Sequence, residues 1–68
     1  MKFINKQFIK NIYQIRKRKG ISVAEIAQKM GISAAAYYKY ENGLSFPNAD
    51  NLNKLANVLG VELSELFK

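Results

Sequence analysis

Cysteine, histidine and tryptophan are absent from these 68 residues, and acids are scarce: five against eleven lysines and arginines. Without cysteine, no disulfide or thiolate metal site can support the fold, and the composition suits a reducing cytoplasm. Without histidine, the commonest general base and metal ligand are both missing. The five carboxylates form no acid pair, and no glycine-rich phosphate loop is present, so neither an enzyme nor a cofactor is expected. No small-molecule substrate is evident. No apolar run approaches the roughly 20 residues that span a bilayer, so no membrane association is expected. The opening MKFINKQFIK alternates apolar with polar residues and lacks a small-residue cleavage site, unlike a signal peptide. A chain this short buries a modest core, which predicts one domain over residues 1–68.

What is present is basic. The formal charge is +6, which favours an anionic partner. Its distribution is uneven. Residues 1–34 hold eight basic side chains (Lys2, Lys6, Lys10, Arg16, Lys17, Arg18, Lys19 and Lys29) against Glu25 alone. Residues 35–68 hold three against four acids. A nucleic-acid surface and an ordinary solvated lysine-rich surface both fit that pattern.

Hydrophobic spacing predicts an all-α, compact five-helix domain with helices near 6–19, 23–30, 34–42, 49–59 and 62–67. Asn5 is a suitable N-cap for the first, with Ile4 placed for a hydrophobic staple onto Ile9. Phe8, Ile9, Ile12, Ile15 and Arg16 share one face. Gly20 ends this helix, and Lys17, Arg18 and Lys19 sit at the negative end of its dipole, a structural use for part of the basic run. Ser22 with Glu25 forms a capping box for the second helix, which ends near Met30, and Ile21 before it is expected in the core. Asn48, just after Pro47, caps the fourth helix, whose inner face is Leu52, Leu55, Ala56 and Leu59. Gly60 terminates it.

The stretch Val23 to Asn42 organises the chain. Ile26, Ala27 and Met30 lie inward on its first helix, and Tyr37 and Tyr40 inward on its second. Between them Gly31 supplies a left-handed helix end, Ile32 a plug, and Ser33 the next cap. That layout is a helix-turn-helix, whose second helix enters the DNA major groove. The residues also resemble a known family, the Cro/cI-type (XRE) phage repressors with their lambda-repressor-like fold. The resemblance runs from Ile12 to Leu66. It is carried by Ile15-Arg16, Gly20-Ile21-Ser22, Glu25-Ile26-Ala27, Met30-Gly31-Ile32-Ser33, Tyr40-Glu41-Asn42-Gly43, Pro47 and Leu52-x-x-Leu55-Ala56-x-x-Leu59-Gly60-Val61.

The resemblance implies a partly buried ion pair between Arg16 and Glu41, joining helix 1 to the end of helix 3. Two solvated charges are the alternative. It implies phosphate contacts from Ser22 and Val23, from Asn42 and the Gly43 N–H, and from basic side chains such as Lys10. Base reading falls to Ser33, Ala34, Ala35, Ala36, Tyr38 and Lys39. This chain departs from the family pattern in two places. Valine stands at position 23, where many members carry glutamine, and alanines at 34–36, where polar readers are common. Alanine can meet a thymine methyl but no hydrogen-bonding edge. Tyr38 is open to phosphate bonding or to idle exposure, and Phe46 to covering the core or touching DNA.

The expected function is a sequence-specific double-stranded DNA-binding regulator, a repressor acting as a homodimer. A protein-interaction or antitoxin-like module of the same fold is the alternative, favoured by the alanine run. Leu63, Leu66 and Phe67 exceed what a short last helix needs to bury, so some of them are expected to form a two-fold dimer surface; capping of the monomer core by all three is the other reading. Met1, Phe3 and Ile4 are a second possible surface. No further oligomerisation domain is expected.

Overall fold

The computed structural model describes residues 5–68. Four α-helices follow in order: α1 (Lys6–Arg18), α2 (Val23–Met30), α3 (Ala34–Glu41) and α4 (Ala49–Leu59). The fifth element, Leu63–Phe67, is a 3-10 turn, so the expectation of five helices is corrected to four and a turn. The reason is local. Glu65 N–H donates to the Glu62 carbonyl at 2.9 Å, an i to i+3 bond, and five residues leave little room for α-helical bonding. The staple residue Ile4, and the surface suggested for Met1, Phe3 and Ile4, lie outside the described residues.

All four helices start on a side-chain cap. Asn5 Oδ1 accepts from Phe8 N–H at 2.9 Å and Ser22 Oγ from Glu25 N–H at 3.0 Å. Ser33 Oγ accepts from Ala36 N–H at 3.0 Å and Asn48 Oδ1 from Asn51 N–H at 2.8 Å. Each such cap contributes about 1 kcal/mol by satisfying a donor that the helix leaves free. Between α2 and α3 the chain turns at Gly31, whose φ of 75° suits a residue without Cβ. Ile32 N–H reaches back to the Ala27 carbonyl at 3.0 Å, and the Ile32 side chain packs against the core.

The core draws on every element. Phe8, Ile12 and Ile15 from α1 meet Ile26, Ala27 and Met30 from α2, Tyr37 from α3, Leu55 and Leu59 from α4, and Leu66 from the final turn. Ile9, expected on the buried face, is only half-buried. It lies at the edge where α1 crosses the loop after α3. Gly43 passes beneath it so closely that a Cβ there would stand 2.9 Å from Ile9 Cδ1, at a φ of 75°. Pro47 is also buried, which seats this loop against the body. Packing α1 and α2 against opposite parts of α3 leaves one long side of α3 facing outward.

Candidate nucleic-acid interface

The underside of α3 is fixed by a polar network. Arg16 Nε donates to Glu41 Oε2 at 2.7 Å and Nη2 to Oε1 at 3.1 Å, a two-pronged pair whose side chains are 9% and 6% exposed. Arg16 Nη1 donates to the Ile21 carbonyl at 2.9 Å, tying in the turn before α2. Tyr37 O–H donates to Glu41 Oε2 at 2.5 Å. The hydrogen bond that Arg16 donates to Glu41 raises the Arg16 pKa, against the opposing pull of burial. Burial first, then the Glu41 carboxylate, push the Tyr37 phenol well above its ordinary value. Arg16 therefore stays charged and Tyr37 neutral at physiological pH. A second clip runs from Asn51 Nδ2 on α4 to Tyr40 Oη at 3.2 Å.

The outer side is different in kind. At about 100° per residue, Ala35 falls opposite the midpoint of the inward Tyr37 and Tyr40, with Tyr38 and Lys39 on either flank. Ser33, Ala34, Ala35, Lys39 and Asn42 are exposed, Tyr38 is 49% exposed, and Ala36 is half-buried. Asn42 is the C-cap of α3 rather than its last helical residue. Most of the expected base-reading set is thus gathered on one surface.

Beside it lies an open groove of about 490 Å³, lined by Arg16, Lys17, Gly20, Ile21, Ser22, Val23 and Tyr38. The reversal at Gly20 brings the end of α1 next to the start of α2, where unsatisfied N–H groups and the helix dipole favour an anion. Tyr38 therefore leans toward α2 and this groove. Lys17, which the sequence places at the negative end of the α1 dipole, is also a groove residue, and no periodicity marks it as one. Its ammonium and the Arg16 guanidinium both lie over the half-exposed Tyr13 ring, at 6.0 and 5.6 Å from its centre.

Other expected phosphate residues are placed less simply. Val23 buries its side chain in the core, so it can offer only its backbone N–H. Gly43 is buried and directs its N–H to the Tyr40 carbonyl at 3.4 Å, which withdraws it from an outside ligand. Lys10 is exposed on α1, about 10 Å along the axis from Lys17 and away from the groove lining.

Among the proposed dimer residues, Leu66 is fully buried in the monomer and cannot belong to a partner surface. Leu63 and Phe67 are 40% and 38% exposed. Phe46 joins them: the buried Phe8 ring sits 4.8 Å from Phe46 and 5.4 Å from Phe67. Phe46 thus covers part of the core while staying 39% exposed, with Leu44 further out on the same loop at 66%.

A helix-turn-helix family profile, HTH_3, matches residues 12–66. The chain belongs to this XRE-type family. Among HTH_3 relatives, the chain is 36% identical over 61 residues to the uncharacterized HTH-type transcriptional regulator YqaE of Bacillus subtilis, covering 90% of this chain and 53% of YqaE. It is 39% identical over 51 residues to the cryptic phage CTXphi transcriptional repressor RstR of Vibrio cholerae, covering 75% of this chain and 46% of RstR. The chain thus spans about half the length of these relatives. The solved structure of SinR, a master regulator for biofilm formation, in complex with DNA superposes with a TM-score of 0.81 at 32% identity, covering 90% of this chain and 98% of that one. The HTH_3 helices of this chain therefore share the fold of a regulator captured on DNA. Among the described residues, no helix is long and apolar enough to cross a membrane, and no group of His, Cys, Asp or Glu could hold a metal ion.

Proposed function

We propose that this domain binds double-stranded DNA sequence-specifically in the cytoplasm, as a homodimer that represses transcription. The observation that carries the reading is the two-sided α3: it is held from beneath by the Arg16–Glu41–Tyr37 network and its outer face is left open. Family membership supports it, since RstR is a repressor and SinR has been crystallised with DNA. In this reading α3 lies in the major groove, with Ala34, Ala35 and Lys39 toward the bases. Phosphates are held by Ser22 and the start of α2, by Lys17 and Tyr38 at the groove, and by Asn42 and Lys10 outside it.

Dimerisation uses the patch of Phe46, Leu63 and Phe67, an apolar surface that no described residue covers. Two-fold pairing there sets half-sites one or more helical turns apart, in steps of about 34 Å. The blank Ala34–Ala35 surface favours a second reading, a protein-interaction or antitoxin-like module of the same fold with weak DNA affinity. Titration of a random-pool-selected duplex over a range of salt separates the two. The repressor reading expects log K to fall steeply with log salt and the selected duplex to outbind random DNA by about a thousandfold or more. A flat salt response, or equal affinity for random duplex, would sink it.

A further inference from the structure

The outer face of α3 carries a further reading, which rests on the DNA-binding proposal above. We infer that α3 recognises the C5-methyl groups that pyrimidines expose in the major groove, those of thymine or of 5-methylcytosine, rather than hydrogen-bonding base edges.

The argument concerns the whole face and how its polar members are occupied. Ala35 is its midpoint, and Ala34 stands beside it at the helix start, both exposed. Ser33 already uses its Oγ as acceptor for the Ala36 N–H, which keeps that oxygen against the helix end. Tyr38, on one flank, lines the groove with Arg16, Lys17 and the start of α2, and so belongs to that basic edge and not to the centre of the face. Lys39, on the other flank, is the one long polar side chain left toward the bases. The centre of the reading surface is therefore methyl groups on a short stem. A helix so bare approaches the groove floor more closely than one carrying glutamine or arginine.

What such a surface can distinguish follows from the floor itself. Among the standard bases, thymine alone places a methyl group in the major groove, and 5-methylcytosine places one on the same ring carbon. Packing alanine methyl against that methyl removes apolar surface from water, while the polar edges of guanine, adenine and unmethylated cytosine find no partner there and lose theirs in water. The orientation needed for so short-ranged a contact comes from below. Arg16 of α1 on Glu41, and Asn51 of α4 on Tyr40, hold the helix against rolling.

The test uses the full chain and duplexes selected from a random pool. Thymines in the selected site are replaced one at a time by deoxyuridine, which removes the methyl and keeps the base pair. Loss of about fourfold in affinity per contacted methyl is expected at one or two positions in each half-site. At those positions, a G·C pair bearing 5-methylcytosine should outbind the unmethylated pair by a similar factor of about four, and this arm separates the two sources of the methyl. Equal binding of thymine and deoxyuridine throughout a tightly bound site overturns the inference and leaves the DNA-binding reading standing. Absence of binding to any duplex at low salt overturns that reading, and the inference with it. Ala35→Gln gives a second, independent check. It should transfer preference at one position to adenine and abolish the deoxyuridine effect there; an unchanged deoxyuridine profile overturns the placement of Ala35.

Discussion

The two long sides of α3 carry different chemistry. Beneath lie Tyr37, Tyr40 and Glu41, each hydrogen-bonded to a side chain of its own or another helix. Above lie Ala34 and Ala35, which can form no side-chain hydrogen bond, with Tyr38 and Lys39 at the flanks. Polar chemistry has thus been placed where it sets the angle of the helix and withheld from the middle of the face that is shown outward. In the proposed reading, a substitution on the outer side should leave stability nearly unchanged, whereas a cut beneath should lower stability and DNA affinity together.

The sharpest way to break that separation is to remove one partner of the buried pair. Arg16→Ala leaves the Glu41 carboxylate without its cation in a site that is 6% exposed, and should cost about 3–5 kcal/mol in urea unfolding. Stability and DNA affinity should fall together, because α3 loses its footing. Tyr37→Phe is a milder cut, about 1–2 kcal/mol, since Glu41 keeps both bonds from Arg16. It also has a signature in pH. The folded chain holds the Tyr37 proton to higher pH than the unfolded chain does, so this contribution is intact below the ordinary phenol value of 10.0 and is lost as pH rises above it. Urea midpoints should decline above that pH more steeply for the wild type than for Tyr37→Phe. The smallest effect lies on the outer side: Lys39→Ala should move the unfolding free energy by no more than about 0.5 kcal/mol while relaxing base preference at one position.

The underside of α3 is legible in the sequence. Tyr37 and Tyr40 are three residues apart, and the family resemblance pairs Arg16 with Glu41 across a separation of 25 positions. All four caps were legible too, because serine or asparagine ahead of an apolar-periodic run has few other uses at that spot. Three things were not. Over Leu63 to Phe67 a spacing of three fits both an α-helix and a 3-10 turn, so the element type was undetermined. For the same reason Leu66, fully buried, could not be separated from Leu63 and Phe67, which remain exposed. The groove escaped notice because Lys17 and Tyr38 are brought together by the chain reversal and not by any periodicity. Phe46, open in the sequence between covering the core and touching DNA, covers part of the core through Phe8.

The side-chain amide of Asn11 donates to the backbone carbonyls of Glu65 and Leu66, at 3.4 and 3.2 Å, across 54 and 55 positions of sequence. Loop-closure entropy makes a contact of that span costly until the chain between its ends is already folded. The four helices and their tight turns are local structures that form on their own timescale; this clasp can close only around them. The clasp sits on the face where Phe8 meets Phe46 and Phe67. The apolar patch therefore draws on both ends of the chain, so that surface exists in finished form only once those ends have met.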